Sequence, residues 1–225
     1  MTPGRRIVAE CLGTAILLTA VVGSGIMGER LSGGNVAVAL LANTIATGAT
    51  LVAIILAFGG TSGAHFNPAV TLAAAWEGRF GWREVPGYVA AQFIGGFAGV
   101  AAAHLMFGES LFKASQHARG GAAQAFSEFV ATFGLLSIIW GCSGLRSHML
   151  PFAVGAYITG AYWFTASTSF ANPAVTLART LTNTFSGIRP VDAPGFIAAQ
   201  LTGALTATIV WSWLIPSKSN RTHGE

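Results

Sequence analysis

Long apolar runs dominate the chain and are separated by short polar stretches. Six runs approach the roughly 20 mostly apolar residues that cross a bilayer as a helix. They cover about 7–27, 36–58, 85–107, 122–140, 149–168 and 194–215. The first follows Arg5 and Arg6, as the core of a signal peptide would. Five further runs and the lack of a small-residue cleavage site favour a span instead. An even number of spans puts both termini on one side. Counting Lys and Arg by side gives Arg5, Arg6, Arg79, Arg83, Arg146, Lys218 and Arg221 against Arg30, Lys113, Arg119, Arg179 and Arg189. The excess predicts a multi-pass protein of the cell (inner) membrane with both termini in the cytoplasm.

Composition agrees with this pattern. Apolar residues make up 52% of the chain and charged residues 9%, against about 25% charged in an ordinary soluble domain. That balance excludes a soluble globule, a disordered tail and a disulfide scaffold. The net charge of +4 is spread thinly, so no nucleic-acid partner is expected. Cys11 and Cys142 lie in or at the end of apolar runs and read as small buried hydrophobes. Trp76, Trp82, Trp140, Trp211 and Trp213 fall near run ends, where interfacial Trp is expected. Many of the 29 glycines lie inside the runs, including Gly95-x-x-x-Gly99, a spacing that lets helix backbones approach closely.

The chain repeats itself. The string Asn-Pro-Ala-Val-Thr-Leu-Ala occurs at Asn67 and again at Asn172, in two stretches that fall outside the simple span pattern. Pro86-Gly-Tyr-Val-Ala-Ala-Gln92 answers Pro194-Gly-Phe-Ile-Ala-Ala-Gln200, and Ala9-Glu10 answers Ser127-Glu128. The organisation is therefore a first repeat at 1–107, a connecting loop at 108–120, a second repeat at 121–215 and a polar tail at 216–225. Three spans per half invert the second half relative to the first, the plan of many transport proteins.

Asn is a strong N-cap residue and Pro is favoured at the first helical position. Asn67-Pro68-Ala69 and Asn172-Pro173-Ala174 should each start a short helix, running to about Trp76 and Thr184. In an inverted repeat the two starts can meet at mid-membrane. Backbone there is tolerated only where it lines water or is buried in protein. Each helix start carries partial positive charge. The meeting point should repel cations and offer the Asn amides to a neutral oxygen.

These motifs resemble those of the aquaporin–glycerol facilitator (major intrinsic protein) superfamily. The resemblance implies an all-α membrane protein with six transmembrane helices and two re-entrant half-helices. It also implies a homotetramer in membrane lipid, one pore per subunit, cation exclusion by the half-helix dipoles, and passive conduction of small neutral solutes.

Most members carry Arg directly after the second Asn-Pro-Ala. Val175 stands there, and Thr176 follows where glycerol facilitators have Asp. The family's spacing assigns the selectivity filter to Thr47, Gly160, Ser169 and Val175: small, uncharged and wide. The pattern resembles divergent bacterial members with Val at this position, a subset linked to arsenic detoxification. It implies conduction of arsenite, as the neutral trihydroxide, and of glycerol, along with water. A mainly water-conducting pore is the alternative.

Glu10 and Glu128 lie within spans, where a carboxylate is by default a functional candidate. Their matched positions suggest that each braces the re-entrant loop of its half, with His65, Gln92 and Gln200 as further support. A proton-coupled transporter using either Glu is the rival class. Arg179, with Ala74 at the matching place in the first half, is either a cation in the outer vestibule or a side chain that snorkels or pairs with a loop carbonyl. No His-Glu-x-x-His, Cys-x-x-Cys or phosphate-binding loop is present, so neither an enzyme nor a metal or cofactor site is expected.

Overall fold

The computed structural model describes residues 1–143 and 147–215. Arg146, Lys218 and Arg221 of the charge count and the 216–225 tail lie outside them. The described residues form α1 (Pro3–Leu31), α2 (Val36–Ser62), α3 (Pro68–Trp76), α4 (Val85–Phe107), α5 (Ala122–Cys142), α6 (Leu150–Phe164), α7 (Pro173–Arg179) and α8 (Ala193–Leu214). A single 3-10 turn, Ser147–Met149, precedes α6.

Five helices, α1, α2, α4, α5 and α8, are long and apolar enough to cross a membrane. The fifth expected span, 149–168, is shorter than its hydropathy suggests. α6 has 15 residues and reaches only about 22 Å. It stops because Thr165 turns extended and returns its hydroxyl to the Ala161 carbonyl at 2.6 Å. The second half-helix is also shorter than expected, ending at Arg179 rather than Thr184. Thr180 closes it, its hydroxyl donating to the Leu177 carbonyl at 2.7 Å.

The two halves pack alike. α1 lies against α4 and α2, and α5 lies against α8 and α6, while α2 and α6 join the halves. Glycines set the close approaches. A Cβ on Gly95 would strike the Cys11 carbonyl of α1, and one on Gly99 would strike the Ala15 carbonyl. Gly203, at the repeat-related place of Gly95, faces the Phe129 carbonyl of α5 in the same way.

Polarity is turned inside out relative to a soluble fold. Glu10, Glu128, Gln92 and Gln200 are fully buried, whereas Ile94, Leu105, Ile209 and Trp213 are exposed. An apolar exterior of this extent fits a lipid environment. Trp140 departs from the interfacial expectation: it is buried, its Nε1 donating to the Thr208 hydroxyl. Cys11 and Cys142 are free and half-buried.

Contacts between loops define two faces. Arg6 pairs with Glu84, Ser212 donates to Glu77, and Arg79 donates to Ser143. These join the start of α1 and the end of α8 on what we term the proximal face. Arg30 pairs with Glu109, and the Arg119 backbone N–H donates to Asp192, on the opposite, distal face.

Candidate pore

Asn67 and Asn172 both take extended backbone and cap the half-helices that follow. The Asn67 Oδ1 accepts from the Ala69 N–H at 2.9 Å. The Asn172 Oδ1 accepts from Ala174 and Val175 at 2.9 and 3.3 Å. Pro68 and Pro173 occupy first-turn positions, where their missing N–H has no intrahelical partner to lose. Ala69 and Ala174 are wholly buried, and α3 and α7 are in contact.

Each Asn also reaches into the other half. The Asn67 Nδ2 donates to the Ala171 carbonyl and the Asn172 Nδ2 to the Phe66 carbonyl, both at 2.8 Å. The backbone is bent to allow it. Ala64 and Phe66 have φ of 52° and 48°, and their repeat partners Ser169 and Ala171 have φ of 48° each. With Thr168 at φ 61°, five non-glycine residues of these two loops lie in the left-handed region, a costly arrangement that persists only where surrounding contacts over-determine it.

Two buried carboxylates supply those contacts. Glu10 accepts from the His65 N–H at 3.0 Å, the Phe66 N–H at 2.7 Å, the Ser62 hydroxyl at 2.7 Å and the Gln92 amide at 2.8 Å. Glu128 accepts from Phe170 and Ala171 N–H groups at 2.8 Å each, and from the Gln200 amide at 2.6 Å. Gln92 and Gln200 each donate again, to Thr71 and Thr176 of the half-helices. The His65 side chain meets the Thr71 hydroxyl at 3.1 Å.

A cavity of about 220 Å³ runs along this junction. Both Asn side chains line it, as do Thr47, Ser169, Val175, Arg179 and His65. Gly160 does not. It is exposed on the outer side of α6, two residues from Ile158 and Tyr162, which face the cavity. Two residues turn a helix by about 200°, so Gly160 and Tyr162 point in nearly opposite directions. Tyr162, 3% exposed, brings its hydroxyl to 3.4 Å from that of Thr47. Counting back from Asn172 crosses the extended segment after Phe164, and that segment shifts the register. The signal that finds Tyr162 is the four-residue spacing Leu150, Val154, Ile158, Tyr162 along one face of α6.

Arg179 is buried at the end of α7. It is 2% exposed, lines the cavity and donates through Nε to the Ser186 carbonyl. Its guanidinium lies 3.4 Å from the centroid of the Phe170 ring. Arg119, absent from the sequence-derived site, approaches the same ring at 5.2 Å and is held by the Gly187 and Ser167 carbonyls. At the proximal end, Arg79 lies 4.8 Å over Trp140.

An inverted pair of half-helices, meeting end to end inside a lipid-facing bundle along a lined cavity, defines a membrane channel of the aquaporin type. Residues 1–169 match the family described as major intrinsic protein, and the chain belongs to that family. It is 56% identical over 213 residues to aquaglyceroporin AqpS of Rhizobium meliloti (strain 1021), covering 94% of this chain and 90% of the relative. It is 36% identical over 159 residues to aquaporin NIP1-1 of Oryza sativa subsp. japonica, covering 68% of this chain and 55% of that one. The aquaglyceroporin from Plasmodium falciparum shares the fold, with a TM-score of 0.76 at 21% identity, over 93% of this chain and 96% of that one.

Proposed function

We propose that the protein is a passive channel for small uncharged polyhydroxylated solutes, glycerol and the trihydroxide of trivalent arsenic among them, with water passing as well. The observation that carries the reading is the cavity wall near the second motif. Val175 stands where a filter Arg is usual, and Thr47, Tyr162 and Ser169 complete the surround. One apolar side chain, one aromatic face and three hydroxyls suit a solute with CH and OH faces. Each Asn amide keeps one N–H beyond its cross-repeat bond, available to a solute oxygen. The homology to an aquaglyceroporin supports the same class.

In this reading the filter is Thr47, Tyr162, Ser169 and Val175. The half-helix starts keep cations out. The subunit works in a homotetramer of the inner membrane, with the proximal face and both termini in the cytoplasm. Glu10 and Glu128 are saturated by donors, which supports bracing rather than proton coupling.

Stopped-flow swelling of proteoliposomes with water, glycerol, urea and arsenite, side by side, tests the reading. Protein-dependent glycerol and arsenite entry is expected. Water flux alone would favour the water-conducting alternative, and flux abolished by a protonophore would favour the transporter.

A further inference from the structure

The two loops that lead into the half-helices match in backbone but are held by different side chains. Ser62, Gly63, Ala64, His65 and Phe66 answer Ser167, Thr168, Ser169, Phe170 and Ala171. The second position is left-handed in both loops, with Gly63 at φ 88° and Thr168 at φ 61°. Glycine takes that conformation freely, whereas a β-branched residue takes it only under constraint.

In the first loop the Ser62 carbonyl accepts from the Tyr88 hydroxyl at 2.8 Å, and that oxygen accepts from the Arg6 Nε at 2.9 Å. Arg6 also lies over the Phe80 and Tyr88 rings and pairs with Glu84. In the second loop Phe196 stands at the place of Tyr88 and has no hydroxyl. The Ser167 carbonyl accepts from Arg119 instead, through Nη1 at 3.2 Å. The same nitrogen meets the Thr168 hydroxyl at 3.4 Å. Nε and Nη2 reach the Gly187 and Phe185 carbonyls at 2.8 and 3.5 Å. One planar fork thus ties the segment before α7 to the segment after it. The acidic partner is repeated as well: Asp192, which answers Glu84, accepts from the Arg119 N–H. Gln124, not Arg119, matches Arg6 in the repeat register, so comparing the two halves in sequence passes over Arg119. Arg119 is buried and stands outside the cavity wall, whereas Ser169, Phe170 and Ala171 line it.

We propose that Arg119 is a positioning residue that sets the solute size limit of the pore from outside it. By fixing Ser167 and the strained Thr168, it fixes Ser169 and the Phe170 ring in the wall. The proposal rests on the cavity being the solute path. It goes beyond that path in giving the connecting loop a part in selectivity.

The test compares xylitol with glycerol entry into proteoliposomes and reads amide hydrogen exchange across 165–171 in the detergent-solubilised full-length protein. Arg119→Met removes the fork and keeps an unbranched side chain. It should raise the xylitol-to-glycerol ratio severalfold and speed exchange at Thr168 and Ser169, with the matching 62–66 segment unchanged. Adding Phe196→Tyr supplies the hydroxyl that Tyr88 supplies in the first half, and should return both readings toward the native values. General loosening of the fold would speed exchange in both segments and would not be cured by one hydroxyl. Arg119→Lys keeps the charge but offers a single point in place of the fork. It should give a smaller shift in the same direction, and serves where Arg119→Met folds poorly. An unchanged ratio in both single variants, a changed ratio without faster local exchange, or no recovery with Phe196→Tyr overturns the proposal. Native protein that passes no glycerol defeats the solute path instead, and the exchange comparison then decides alone whether Arg119 holds the segment.

Discussion

Asn67 and Asn172 brace each other's loops: each donates to the carbonyl of the residue that precedes the other, at 2.8 Å in both directions. One side chain therefore caps its own half-helix, ties the two repeats together and keeps one N–H for the lumen. Asn172→Leu removes all three. Loss of the cap alone costs about 1 kcal/mol. Glycerol permeability per inserted subunit should fall at least several-fold, read by stopped-flow swelling normalised to protein content. Asn67→Leu should do the same by symmetry. Undiminished flux in well-inserted protein would exclude a path past this junction.

The opposed directions of Gly160 and Tyr162 give a second prediction. Tyr162→Ala should widen the cavity, raising entry of a five-carbon polyol relative to glycerol severalfold. Gly160→Ala adds a methyl on the outer side of α6, where the nearest atom to a new Cβ is Phe164 Cε1 at 3.9 Å. It should change that ratio less than about twofold. The reverse outcome would restore Gly160 to the filter.

The sequence carried the repeat, the two caps and the buried Glu pair plainly, because each is a local pattern duplicated in register. It carried less where geometry depends on irregular backbone. Thr165 ends α6 before the apolar run ends, so hydropathy overstates the span and spacing from Asn172 lands on the wrong face. The left-handed residues Ala64, Phe66, Thr168, Ser169 and Ala171 have no compositional mark, since glycine stands at none of them. Arg119 and Phe170 meet through loop folding, 51 positions apart in the chain. The four-residue stripe on α6 was readable, and it is the one missed site feature with a sequence signal.

Glu128 is fully buried and accepts two backbone N–H groups and one amide inside the bundle. Glu128→Ala leaves those donors buried and unsatisfied, at about 1–3 kcal/mol each. Folded yield in detergent should collapse, and Glu10→Ala should behave alike. Native glycerol flux should be the same with and without a protonophore. A protonophore-sensitive flux would make these carboxylates part of the transport cycle.

Asp192 gives a pH dependence on the distal face, outside the spans. Hydrogen bonds from Arg189, and then from the Arg119 N–H, hold its carboxyl below the usual 3.8. A carboxyl depressed in the folded state stabilises above its unfolded value and loses that contribution as pH falls through the folded one. The loop anchored on Arg119 should therefore be unaffected between pH 7 and 5 and loosen only below about pH 4. Proteolysis of the 108–120 loop across that range checks it, with Asp192→Asn showing the loosened state at pH 7.

Val175→Arg tests the filter and its neighbour together. Val175 and Arg179 are four residues apart and share a face of α7, so their side chains stand within about one turn, 5.4 Å, of each other. Arg at 175 adds a long side chain and a fixed charge to the wall, which should cut glycerol entry far more than water entry. A tenfold drop in the glycerol-to-water ratio is the expected scale. It also places a second guanidinium beside one that is 2% exposed and has no ion-pair partner among the described residues. Like charges this close repel, so folded yield should fall as well. Val175→Arg combined with Arg179→Met separates the two effects. It relieves the repulsion and should recover the yield, while the ratio stays low because the bulk at 175 remains. If the double variant recovers the ratio too, the barrier to glycerol is the pair of charges and not the width at Val175. If neither variant changes the ratio, the narrowest point of the path lies elsewhere along the cavity.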